Sequence, residues 1–181
     1  MKYRVKKICI NKKSKGLTLI ELIVAMGIFS VIIVIVVGLF VATLKGYRKS
    51  AALQNVQENA RFLMDFMTKE IRQSTIISGD NHSLILERPD PSNPPAILNI
   101  TYNFDGTNIQ RTVAGSPSSS GAINSQQVMV SGAFFISGIT SGDGLQPKVT
   151  ISLKVQTQAT KAEEKAAIDL QATLSQRILD I

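Results

Sequence analysis

Residues 16–49 read GLTLIELIVAMGIFSVIIVIVVGLFVATLKGYRK, and the 23 residues from 22 to 44 within this stretch carry no charge. Only Ser30 and Thr43 bear hydroxyls there, and only Gly27 and Gly38 weaken a helix. A helix needs about 20 apolar residues to span the hydrocarbon layer of a bilayer, so the run is long enough. It is too long for the apolar part of a secretory signal, about 7–15 residues, and no small-x-small cleavage site follows it. Phe40-Val41-Ala42 puts a bulky residue where a small one is needed. The run is read as a retained membrane helix.

Upstream, Lys2, Arg4, Lys6, Lys7, Lys12, Lys13 and Lys15 place seven cations and no acid in the first 16 residues. The formal charge of +7 resides there, because thirteen Lys/Arg balance thirteen Asp/Glu from Leu17 onward. A basic tail binds DNA or anionic lipid in some proteins. Beside a long apolar run it keeps its own side in the cytoplasm. Seven cations before the run against Lys45, Arg48 and Lys49 after it predict a cytoplasmic amino terminus and an extracytoplasmic carboxy-terminal part. Cys9 is the single cysteine and lies in the basic segment, so a chain without that segment has no disulfide and is held by packing and hydrogen bonds.

Downstream, residues 45–75 contain no Pro and only Gly46. Leu53, Val56, Ala60, Leu63, Met64, Met67 and Ile71 recur at steps of three and four, one stripe of a helix, with polar residues on the other faces. The expectation is one helix over residues 18–74, about 85 Å long at 1.5 Å per residue. Its first half is apolar all round; its second half must bury one stripe on a domain.

After Ser74 the composition turns to Ser, Thr, Asn, Gly and Pro between short β-branched runs. Residues 83–88 (SLILER), 97–104 (ILNITYNF) and 108–113 (NIQRTV) read as strands, the last two joined through Asp105-Gly106-Thr107, where Asp-Gly signals a hairpin. Residues 127–130 and 133–139 are shorter candidates. Residues 149–156 and 167–178 form a terminal hairpin across a charged loop, 160–165. Residues 90–95 and 114–125 read as loops, the second low in complexity. The fold class is α+β: a long amino-terminal helix packed on a small antiparallel sheet. The expected organisation is a basic leader (1–16), a transmembrane half-helix (17–44), an amphipathic half-helix (45–75) and an extracytoplasmic β domain (76–181).

At the junction stands Lys13-Ser14-Lys15-Gly16-Leu17-Thr18-Leu19-Ile20-Glu21-Leu22. This segment, with the apolar helix to Val41, resembles the prepilin signal of type IV pilins and type II secretion pseudopilins: basic leader, Gly, apolar residue, Thr-Leu-x-Glu, apolar helix. Leu17 stands where that family more often has Phe. The resemblance implies a membrane prepilin peptidase that cuts between Gly16 and Leu17 and N-methylates Leu17. It also implies assembly with other pilin or pseudopilin subunits on an inner-membrane platform. Localisation is then the inner membrane, followed by a pilus or pseudopilus. Residues 61–74 (RFLMDFMTKEIRQS) and 170–177 (LQATLSQR) are similar to parts of J-type pseudopilins and W-type minor pilins, which implies a minor subunit.

Each junction residue also has a physical reading. Gly16, lacking a side chain, lets an extended backbone enter a narrow protease site. Glu21 is one turn past the new amino terminus, at the edge of the hydrocarbon, where a carboxylate facing lipid costs about 2–4 kcal/mol or more and needs a partner. In the family that partner is the amino-terminal ammonium of a neighbouring subunit, which sets axial register. Alternatively, the acid sits at the interface and complements the helix dipole. Thr18 either helps place Glu21 or is a plain N-cap. Gly27 and Gly38 either permit close helix approach, or local loosening of the helix, or have no role.

Other chemistry finds little support. His82 is the only histidine and reads as a solvated loop residue beside Asp80. Ser141-Gly142-Asp143-Gly144 offers one acid to a calcium ion and reads better as a turn. Hydrolase triads and metal sites need more His, Cys or paired acids, and no cofactor is expected. There is no Gly-rich phosphate loop with Lys-Ser/Thr. With no Trp and few aromatics, no stacking platform for nucleic acid is visible. Two function classes remain: a structural filament subunit, and a signal-anchored extracytoplasmic binding domain that never polymerises. Glu21 favours the first, because a simple anchor has no use for an acid five residues into its helix. An enzyme comes third.

Overall fold

The computed structural model describes residues 16–115, 118–139 and 145–177. The basic leader residues and the Ser141–Gly144 candidate lie outside the described residues. The chain divides into two units, Met1–Leu44 and Lys45–Ile181, with helix α1 (Leu19–Arg72) running through the division.

In the first unit the described helix buries nothing, as an all-round apolar surface requires when its surroundings are lipid rather than protein. Its two hydroxyls satisfy themselves: Ser30 donates to the Met26 carbonyl at 2.8 Å and Thr43 to that of Leu39 at 2.9 Å. The helix is long and apolar enough to cross a membrane once.

In the second unit α1 becomes amphipathic. Val56, Ala60, Leu63, Met67 and Ile71 are fully buried. The stripe begins at half-buried Ala52, and Leu53, assigned to it from spacing, is exposed. A step of three from Leu53 fits the pattern, but a step of four from Ala52 fits equally well, and tertiary contact decides. The helix ends at Arg72, and Ser74, which donates to the Glu70 carbonyl at 2.7 Å, follows the last turn.

Two antiparallel sheets stand where one was expected. The first has β1 (Thr75–Gly79), β2 (Ser83–Pro89), β3 (Ile97–Phe104), β4 (Ile109–Ala114) and β5 (Ser119–Ala122), in sequential order. The second has β6 (Val128–Ser137), β7 (Lys148–Thr157) and β8 (Ala167–Ser175), also sequential. β5 falls inside the expected low-complexity loop, and the two short candidates at 127–139 are one strand, β6. Strands β2, β3, β4, β7 and β8 match the sequence reading to within a few residues at each end, and the β7–β8 connection carries a single 3-10 turn, Ala162–Glu164.

Period two sets the faces. On β2, β3 and β4 the residues Leu84, Leu86, Ile100, Tyr102, Ile109 and Val113 are buried together with α1. On β6 and β7 the buried set is Val128, Val130, Phe134, Val149, Ile151, Leu153 and Val155. Both sheets and the helical stripe share one core. Phe104 and Phe134 meet across it with ring centroids 4.8 Å apart. Gly132 makes this possible: a Cβ there would lie 2.3 Å from the Ser152 carbonyl oxygen and 2.8 Å from the Phe104 ring. Turns of the first sheet are stitched to β6, since Phe134 N–H donates to the Asn81 carbonyl at 3.0 Å and Val130 N–H to that of Thr107 at 2.8 Å. After β8, Gln176 Oε1 accepts from Ile76 N–H at 2.9 Å and Arg177 N–H donates to the Arg72 carbonyl at 3.3 Å.

Candidate functional site

The junction residues sit at the start of α1. Gly16 and Leu17 precede the helix, both exposed, and a Cβ on Gly16 would meet nothing within 4 Å. Thr18 occupies the N-cap position: its Oγ1 accepts from the Glu21 N–H at 3.3 Å, and its carbonyl accepts from Leu22 N–H at 3.2 Å. One hydroxyl thereby satisfies a free amide of the first turn and ties Glu21 to the residue that opens the helix. Glu21 lies in that first turn, where an acid complements the positive end of the helix. It is exposed, so its carboxylate is open to a partner from outside the chain. Gly27 and Gly38 likewise have open space where a Cβ would stand.

Four residues singled out from the sequence thus gather at the head of α1: a side-chain-free residue, an exposed apolar residue, a capping hydroxyl and an acid. Nothing in this set holds a nucleophile with a base. Among the described residues no group of three or more His, Cys, Asp or Glu is placed to hold a metal. His82 is exposed in its turn, where Asp80 Oδ1 accepts from the backbone of His82 at 2.7 Å and of Ser83 at 2.6 Å.

A second cluster escaped the sequence reading. Glu70, in the last turns of α1, is only 6 % exposed. Its Oε2 accepts from Arg111 Nε at 2.8 Å and from the Tyr102 hydroxyl, and its Oε1 accepts from Arg111 Nη2 at 2.6 Å. Arg88 Nη1 stands 3.7 Å from Oε1. Tyr102 and Arg111 are cross-strand partners on β3 and β4, so the register of one pair aims both at the helix. The Phe66 ring lies 5.6 Å from the Arg111 guanidinium. Burial pushes the Glu70 carboxyl up, but hydrogen bonds from Arg111 and Tyr102 and the two guanidinium charges outweigh it and hold the carboxyl below its ordinary range. Burial, with the Glu70 carboxylate beside it, pushes the Tyr102 phenol well up. The cluster fastens the helix to the first sheet. The only sequence signal was an acid three residues after Met67 and next to Ile71, both core positions; its partners lie 32 and 41 residues away.

Residues 11–42 match a family model described as the prokaryotic N-terminal methylation motif. The match takes in Gly16, Leu17, Thr18, Glu21 and most of the apolar run, and it supports a type IV pilin-like, membrane-anchored chain. No curated protein and no solved structure matches the chain.

Proposed function

We propose that the protein is a filament-forming structural subunit of the type IV pilin class, made with a leader that ends at Gly16. A prepilin peptidase cuts between Gly16 and Leu17 and methylates the new amino terminus. The mature chain then sits in the inner membrane through residues 17–44, with the β domain outside. It enters a pilus or secretion pseudopilus through α1, on an inner-membrane assembly platform, beside other pilin-type subunits.

One observation carries this reading: an exposed acid, Glu21, follows a capping Thr18 at the head of a helix that is otherwise uncharged to Leu44, all within the methylation-motif match. An acid at the edge of the hydrocarbon is expensive without a cationic partner, and the amino terminus of a neighbouring mature subunit supplies one. The likeness of residues 61–74 to the J-type and W-type helical stripe supports a minor subunit. The stripe is a packing device here, since Leu63, Met67, Glu70 and Ile71 are its buried members.

Intact mass and amino-terminal sequencing of the protein from its native membrane test the proposal. The expected chain begins at N-methyl-Leu17, and Gly16→Arg leaves the full-length form. A chain that still begins at Met1 in cells with active prepilin peptidase would favour the uncleaved, signal-anchored domain.

A further inference from the structure

Positive charge in the second unit is concentrated at one place. From residue 45 onward thirteen Lys/Arg stand against twelve Asp/Glu. Five of the cations, Lys45, Arg48, Lys49, Lys161 and Lys165, fall in two short segments whose only acids are Glu163 and Glu164. The rest of that stretch holds eight cations and ten acids, so its sign is opposite.

The fold brings the two segments together. Lys49 Nζ donates to the Lys165 carbonyl, and Gln158 N–H donates at 3.1 Å to the carbonyl of Gln127, whose Oε1 accepts from Asn55 Nδ2 of α1 at 2.6 Å. The β7–β8 loop is thereby fastened to the turn of α1 that directly follows the uncharged run. All five cationic side chains are exposed, whereas Glu163 and Glu164 are half-buried. Between helix and loop lies a recess of about 440 Å³ lined by Lys49, Gln156, Thr157 and Lys165. Among the described residues none of the five cations has an acid within salt-bridge distance, the ion pairs there being those of Glu70 with Arg88 and Arg111.

We propose that this basic end of the domain docks on anionic phospholipid of the membrane that α1 crosses, with a headgroup phosphodiester seated between Lys49 and Lys165. The inference rests on residues 22–44 being the membrane span. Lys45 then marks the hydrocarbon boundary, and Arg48 and Lys49 lie within one further turn, at headgroup level. Cations on juxtamembrane chain are attracted to a negative surface over about a Debye length. What the fold adds is Lys161 and Lys165, more than 110 residues further along the chain, held at that level by the loop's attachment to the helix. The domain is then held against the membrane before assembly, and extraction into a filament must release it.

The test uses the full chain in nanodiscs of phosphatidylcholine alone or with phosphatidylglycerol, read by amide hydrogen exchange over residues 159–166. The anionic lipid should slow exchange by up to about thirtyfold, as two cations near a negative surface provide, and added salt should reverse the effect. Lys161→Gln with Lys165→Gln should abolish the lipid dependence while keeping the Lys165 carbonyl that Lys49 binds. Equal exchange in both nanodiscs, or lipid-dependent slowing that survives in the double variant, overturns the proposal. Equivalent slowing by inorganic phosphate in phosphatidylcholine nanodiscs would show a free-anion site and overturn the lipid assignment. Failure of the chain to remain in either nanodisc would refute the membrane span itself, and the docking surface with it.

Discussion

At the scale of single residues two acids on one helix serve opposite ends. The carboxylate of Glu21 is exposed and has no partner among the described residues, whereas Glu70 is buried and accepts from Arg111 and Tyr102. Glu21→Ala is expected to insert and be processed normally yet fail to enter filaments, which co-purification with other subunits would show. Normal incorporation would remove the register role. Glu70→Ala leaves Arg111 and Tyr102 facing an emptied buried site, and loss of one partner from such a pair costs about 3–5 kcal/mol, measurable by urea unfolding. The pH dependence follows from the direction of each shift. Glu70 has a folded value below its ordinary 4.5, so its contribution is full above about that pH and is lost as pH falls through the lower folded value. Tyr102 is displaced upward from 10.0, so its contribution is full below that pH and is lost as pH rises beyond it. Stability should be level between these limits. Glu70→Gln should shrink the acid limb, leaving the part due to Asp80 and Asp105, whose carboxylates are held low by backbone N–H donors in their turns.

Among the elements, those with a strong local period were legible and those without were not. The helix declares itself by an uncharged run followed by steps of three and four, and its ends at Leu19 and Arg72 fall within two residues of expectation. The β3–β4 hairpin announces itself through Asp105-Gly106, and Gly106 does adopt a positive φ of 93°. β5 (SSGA) has no apolar face and is exposed throughout. Backbone pairing with β4 and the Thr112–Ser120 hydroxyl contact at 2.9 Å hold it, and neither leaves a pattern in sequence. β1 lacks clean alternation because its register slips between Ile76 and Ser78, leaving Ile77 exposed. β6 looked like two pieces because Ser131-Gly132 reads as a break. Gly132 is instead the place where Phe104 presses against the strand. Gly132→Ala is therefore expected to destabilise by about 1–3 kcal/mol through overpacking, visible as a lower thermal midpoint. A neutral result would mean that both the Ser152 carbonyl on β7 and the Phe104 ring give way freely.

Over the whole molecule, the buried apolar core runs from Val56 to Ala166 and takes nothing from the described part of the first unit. A chain consisting of residues 45–181 should accordingly be soluble and unfold in one cooperative transition by near-UV circular dichroism. Absence of such a transition would mean that residues 17–44 support the domain. The junction motif was legible because it is a short linear segment, which the match over residues 11–42 takes in. The Glu70 cluster and the Lys49–Lys165 attachment were not, because each joins residues that only the completed fold makes neighbours.

The attachment that follows β8 has a consequence for how the chain reaches its fold. Gln176 and Arg177 bind Ile76 and Arg72 about a hundred positions earlier, and β8 itself covers β7 only near the end of the sequence. Both sheets pair strands that are neighbours in sequence, so these attachments are among the few closures of long loops and belong to the slower part of folding. During synthesis the apolar stripe of α1 emerges before the strands of both sheets that complete its core. That interval exposes apolar surface to aggregation and proteolysis until the core has closed.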